Sequence, residues 1–147
     1  MKRYLPIYLG ALFAMSGCNM YSSQIETISV QGIVQLEGKP VENVEVAFQS
    51  DELPMAFGIT DAEGKYELST RRYGKGASPG NYTAKIFMTD KTSFGGSGKK
   101  VTIPKIYSEK GVAAVTVDAK EGRQFDFNLV SKPSRKASDW LAQESEQ

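Results

Sequence analysis

The sequence predicts an all-β domain, a sandwich of seven strands, and three observations carry that prediction. Apolar and polar residues alternate in short runs such as Val44-Glu45-Val46-Ala47-Phe48 and Tyr82-Thr83-Ala84-Lys85-Ile86, the period of two that a half-buried strand requires. Turn signals rich in Gly, Asn, Asp and Pro recur roughly every ten residues. No stretch of the domain keeps the period of a long amphipathic helix.

Composition narrows the function classes. The 147 residues hold 18 Lys and Arg against 17 Asp and Glu, a formal charge of +1. Loss of Lys2 and Arg3 with an N-terminal signal leaves one more acidic than basic residue. Bulk electrostatics therefore gives no reason to expect nucleic acid as a partner. The chain has no histidine, which removes the commonest general base and the commonest zinc ligand together. A non-catalytic protein without cofactor or metal is the expectation. The one cysteine, Cys18, cannot form an intramolecular disulfide and calls for its own explanation.

That explanation lies in the first segment. Lys2 and Arg3 precede an apolar run from Tyr4 to Met15, the basic and apolar parts of a secretory signal, and the run is too short to span a bilayer. It ends in Met15-Ser16-Gly17-Cys18, which resembles the lipobox of bacterial lipoproteins: small residues ahead of an obligatory cysteine. The resemblance implies cleavage between Gly17 and Cys18, and acyl chains on Cys18 that engage membrane lipid. Each buried methylene contributes about 0.8 kcal/mol and one chain holds only marginally, so stable anchoring takes two or three. Met15 stands where Leu, Val or Ile is usual. The competing reading is an ordinary secretory signal with an incidental cysteine. Asn19, rather than Asp, after the cysteine implies a cell-envelope address at the outer membrane.

The chain then reads as residues 1–17 signal, 18–27 lipidated N-terminus and tether, 28–131 sandwich, and 132–147 a polar, disordered tail. The first strand, Ile28 to Leu36, places Ile28, Val30, Val34 and Leu36 on one face with Gly32 among them, where a glycine leaves room for an aromatic neighbour. Val44 to Gln49 turns Val44, Val46 and Phe48 inward. Met55 to Thr60 and Lys65 to Ser69 form a hairpin around Asp61 and Gly64, with Tyr66 and Leu68 on the same face. Thr70 to Gly80 is a loop. Asn81 to Met88 is a strand with Tyr82, Ala84, Ile86 and Met88 inward. Thr89 to Lys100 is expected to be the most mobile loop. Val101 to Tyr107 reads as a short edge segment ended by Pro104. Ala114 to Val117 and Gln124 to Leu129 complete the count as a hairpin joined through Asp118 to Arg123, with Phe125, Phe127 and Leu129 inward.

Three runs together resemble the carboxypeptidase regulatory-like domain: Val30-Gln31-Gly32-Ile33-Val34, Gly38-Lys39-Pro40-Val41-Glu42-Asn43-Val44-Glu45-Val46 and Thr60-Asp61-Ala62-Glu63-Gly64-Lys65-Tyr66-Glu67-Leu68. Pro79-Gly80-Asn81-Tyr82 adds a fourth signal. The later Ile103 to Tyr107 and Phe125 to Leu129 segments look like the short bacterial lipoprotein subgroup of that family. The resemblance implies a transthyretin-like (prealbumin-like) Greek-key β-sandwich that serves as a spacer, stalk or binding unit and carries no catalytic residues. Val44 replaces the usual small residue, and Gly111-Val112-Ala113 stands where the subgroup has polar residues. Transthyretin-related hydroxyisourate hydrolases share the fold but use histidines and a C-terminal Tyr-Arg-Gly-Ser, and this chain has neither.

Two groups of residues are candidate sites. Asp51, Glu52, Asp61 and Glu63 offer carboxylates to calcium, but the Asp-x-x-Gly spacing fits an Asx-turn better than a calcium loop. Arg71, Arg72, Tyr73, Lys75, Lys91, Phe94, Lys99 and Lys100 come from two loops. If those loops meet, they form a basic, aromatic surface for an acidic glycan or an envelope protein's carboxylates. The alternative is two solvated loops. A second functional reading makes the domain an accessory unit of a multi-protein envelope complex, docked through those loops.

Overall fold

The structure, a computed structural model, describes residues 25–121 and 123–133. Cys18 and the signal expected before it, and the expected tail from Ser134 onward, lie outside the described residues. The strands are β1 (Gln31–Leu36), β2 (Lys39–Gln49), β3 (Ala56–Ile59), β4 (Lys65–Glu67), β5 (Ser69–Thr70), β6 (Gly74–Lys75), β7 (Gly80–Phe94), β8 (Ala113–Val117) and β9 (Phe127–Leu129), and the one helix described is α1 (Ile106–Glu109). The domain is all-β. All strand pairs are antiparallel except β1–β9, which is parallel. The ladder turns back on itself at the tight β1–β2 hairpin, so β4-β1-β9 and β3-β2-β7-β8 present apolar sides to one core.

Burial follows the alternation in the sequence. Val30 just ahead of β1 and Val34 and Leu36 within it face inward, as do Val44, Val46 and Phe48 of β2 and Tyr82, Ala84 and Ile86 of β7. Phe48 sits at the centre, fully buried, with ring centroids 5.5 Å from Phe125 and 6.5 Å from Phe127 on the opposite side. Tyr66 stacks on Phe127 at 6.3 Å. Burying each such side chain contributes about 1.5–3 kcal/mol. The edge-on aromatic geometry adds a specific preference for this arrangement.

Nine strands stand where seven were expected. The expected fourth strand is divided at Leu68: β4 pairs with β1, whereas β5 pairs with β3. The chain crosses between the two sides of the core there, with the Leu68 N–H donating to the Val30 carbonyl at 2.9 Å and its own carbonyl accepting from Gly76 at 2.7 Å. The other additional strand, β6, returns from β5 in what read as loop.

Other expectations are corrected by pairings that local pattern does not reveal. β7 runs on to Phe94 rather than ending at Met88, because a bulge at Asn43 lets β2 resume pairing at Glu42↔Ser93 and Val41↔Phe94. Asn43 sits at φ 57, and its carbonyl accepts from the Thr89 and Thr92 hydroxyls at 2.6 and 2.9 Å. The bulge breaks the alternation, and Met88, expected inward, is 44% exposed. The segment expected as an edge strand after Val101 instead forms the single turn α1, which buries Tyr107 against the Val130 backbone. Asp118 to Arg123 is not a hairpin connection, since β8 pairs with β7 and β9 with β1. Phe125 precedes β9 and is half-buried.

Gly32 leaves room for the tip of an aromatic, Tyr66, and also for the Phe125 backbone. A Cβ there would run into the Phe125 carbonyl oxygen and stand 2.8 Å from the Tyr66 hydroxyl. That hydroxyl donates to the same carbonyl at 2.7 Å. Burial, and secondarily the Asp126 charge, keep the Tyr66 phenol protonated far above its ordinary range.

Candidate functional site

Three surfaces are built by this fold. The first is the β5–β6 hairpin. Thr70 is buried and its hydroxyl donates to the Gly76 carbonyl at 2.7 Å, which clamps the hairpin base. Arg72 at φ 75 and Gly74 at φ 91 reverse the chain, leaving Arg71, Arg72, Tyr73 and Lys75 exposed. Lys75 reaches Glu67 at 3.3 Å, the one salt bridge among the described residues. Exposed as it is, that pair contributes little.

The second expected loop lies elsewhere. Phe94 pairs with Val41 near the start of β2, while Thr70 reaches β2 through Ala56 at the level of Phe48. At about 3.3 Å per residue, these levels are roughly 20 Å apart along the strand. Lys99 and Lys100 extend beyond the first level, and Arg71, Arg72 and Tyr73 beyond the second. The two basic loops therefore occupy opposite ends of the domain and do not form one site. Phe94 is instead engaged by Lys39, whose ammonium stands 5.7 Å from its ring centroid.

The carboxylates considered for calcium do not converge either. Asp61 Oδ1 accepts from the backbone N–H groups of Glu63 at 3.0 Å and Lys65 at 2.9 Å. This is the Asx-turn. Asp51 and Glu52 follow β2 at its other end. No group of three or more metal-ligating side chains is present among the described residues.

The second surface is an open groove of about 600 Å³ between the Gln49–Met55 connection, the start of β7 and the end of α1. Gln49, Asn81 and Thr83 offer carboxamide and hydroxyl groups, and Asp51, Lys85, Glu109 and Lys110 offer charges of both signs. None of those four charged groups forms an ion pair among the described residues. Such a lining can hydrogen-bond a polar chain laid across it. Nothing in its sequence spacing announced it, because its residues come from three separate segments.

The third surface is the outer side of β3-β2-β7. Register places Ile59, Glu45 and Phe87 in one cross-strand row and Phe57, Ala47 and Lys85 in the next. Ala47, although on the outer side, is only 1% exposed beneath its larger neighbours. Ile59 is 57% exposed and Met55 45%. Apolar groups clustered on an outward face mark contact surfaces more often than isolated ones do. The alternation could have revealed this face, since Ala56 and Gly58 take the inward positions of β3 and leave Phe57 and Ile59 outside.

No helix among the described residues is long and apolar enough to cross a membrane. Comparison of the chain with protein-family models, with curated proteins and with solved structures returns no match.

Proposed function

We propose that this chain is a bacterial lipoprotein, held to the outer membrane through acyl chains on Cys18, which presents a non-catalytic β-domain for binding or structural contact at the cell envelope. The observation that carries the reading is Ser16-Gly17-Cys18 at the end of a short apolar run behind Lys2 and Arg3, with a β-rich domain beginning about ten residues later. The domain is a transthyretin-like Greek-key sandwich whose seven principal strands are β1, β2, β3, the divided β4/β5, β7, β8 and β9, with β6 as an added hairpin arm. Supporting that finer assignment, β4-β1-β9 and β3-β2-β7-β8 face each other over one core, and the motif residues Gly32, Asp61, Gly64 and Tyr66 hold its turns and crossings.

Intact-mass measurement of the protein extracted from membranes tests the anchor. The expected product begins at Cys18 and carries the mass of a diacylglyceryl group. Cys18→Ala is expected to abolish the increment and release the chain on washing. A purified chain that still begins at Met1 and washes freely from vesicles refutes the reading.

A second reading, an accessory domain docked in an envelope complex, is favoured by the outward Phe57, Ile59 and Phe87. Its expected signature is a stoichiometric partner recovered with the wild-type chain and lost on Phe87→Glu.

A further inference from the structure

We infer that the β5–β6 hairpin is the membrane-contacting element of this domain, with Arg71, Arg72 and Tyr73 seated on anionic phospholipid headgroups; the inference rests on the lipid anchor proposed above. Position is the first argument. Ile28, where the chain joins the domain from its N-terminal side, exchanges backbone hydrogen bonds with Ala77 at 2.8 and 2.9 Å. Ala77 follows directly on the hairpin's base, where Gly76 donates to Leu68 at 2.7 Å. Gly76, at φ 95, reverses the chain between the hairpin and that pairing. β1 runs away from this end towards Leu36, and β5 runs towards it, paired antiparallel to β3. The hairpin tip and the N-terminal exit therefore share one end of the domain.

Reach is the second argument. About ten residues separate Cys18 from Ile28, and ten residues span at most roughly 33–36 Å even when fully extended. The hairpin end is thus held close to the surface that holds the acyl chains, while the Gly38, Gly64 and Phe94 turns lie at the distal end.

Chemistry is the third. Arg71 and Arg72 are exposed and form no ion pair among the described residues, in contrast to Lys75. Two guanidinium forks match the bidentate geometry of phosphate oxygens. Tyr73, 37% exposed between them and Gly74, supplies an amphipathic ring suited to the headgroup layer. The same end also carries Asp51, Glu52, Asp118 and Glu121 on neighbouring loops, with Lys120 and Arg123. The end as a whole is therefore not basic. With screening over about 8 Å at physiological salt, the local charge of the projecting tip decides which side of that end meets the bilayer. The consequence is an orientation: the domain tilts onto its hairpin and directs Phe94, Lys99 and Lys100 away from the membrane.

The test uses the mature, lipidated full chain in nanodiscs doped with a gadolinium-chelating lipid, reading amide relaxation at residues 71–75 against residues 96–99. In discs containing phosphatidylglycerol, the enhancement is expected to concentrate at 71–75. It is expected to fall in phosphatidylcholine discs and in the variant Arg71→Gln/Arg72→Asn, which loses roughly fivefold in docking per charge removed. Asn is chosen at the second position because it tolerates positive φ. Lys99→Gln/Lys100→Gln is expected to leave the pattern unchanged. Equal enhancement at both ends, or a hairpin enhancement indifferent to lipid charge and to the arginines, overturns the inference while leaving the anchor standing. A chain whose intact mass shows no acyl group overturns both.

Discussion

Gly32→Ala is the sharpest probe of how this core is closed. The added Cβ meets the Phe125 carbonyl oxygen and comes to 2.8 Å from the Tyr66 hydroxyl, so the strand leading into β9 must retreat. Retreat breaks the 2.7 Å hydrogen bond between that hydroxyl and that carbonyl. It also strains the neighbouring Phe125 N–H to Gln31 bond, 3.0 Å long. Leaving a buried hydroxyl without its partner costs about 1–3 kcal/mol. Overpacking adds about 1–3 kcal/mol. Stiffening of the unfolded chain by Ala offsets only about 0.4–1 kcal/mol. The net loss is about 3 kcal/mol, a large part of the roughly 5–15 kcal/mol that holds a domain of this size together. In urea denaturation followed by circular dichroism, with a slope near 2 kcal/mol per molar, the midpoint should drop by about 1.5 M. Repeating the change in a Tyr66→Phe background removes one of the two groups in the way, so the losses should fall short of additive by about 1 kcal/mol. A midpoint shift under about 0.3 M with an unchanged slope would show that β1 and the Phe125 backbone are not in this close approach.

Three further outcomes follow from particular contacts. Phe48→Ala empties the centre of the aromatic cluster and should cost about 3–5 kcal/mol, measured by the same unfolding experiment; a loss below 1.5 kcal/mol would mean that the rings around it do not depend on it. Asp61→Ala removes the acceptor of two backbone N–H groups and should cost about 1–2 kcal/mol, whereas added calcium should leave the melting temperature of the wild type unchanged; a calcium-dependent rise would contradict the turn assignment. Tyr66 has its folded-state pKa raised from the ordinary 10.0, first by burial and then by the Asp126 charge. Its contribution is therefore complete below that value and is lost as pH rises, because the unfolded chain ionises first. Stability should fall by about 1.4 kcal/mol per pH unit above 10 from this group, and Tyr66→Phe should flatten that alkaline slope.

Legibility of the site followed the same division as legibility of the fold. Asp61 and Gly64 were readable because an Asx-turn is a matter of four consecutive residues. Arg71, Arg72 and Tyr73 were readable as an exposed basic turn, but their separation from Phe94, Lys99 and Lys100 was not, since it depends on which level of β2 each loop reaches. The outer Phe57, Ile59 and Phe87 face combines two strands that meet only through β2.

By itself, the sequence determined which residues alternate, where the chain turns, and that Val34, Val46, Phe48, Tyr66 and Ile86 go inside. These are local properties, governed by side-chain direction along a strand and by backbone freedom at a turn. Tertiary structure alone decided that the chain crosses from one side of the core to the other at Leu68, that β9 joins β1 in parallel, that β7 resumes pairing past the Asn43 bulge, and that the two basic loops stand at opposite ends. Each of those depends on hydrogen bonds between residues far apart in the chain, for which no short run of sequence carries a signature.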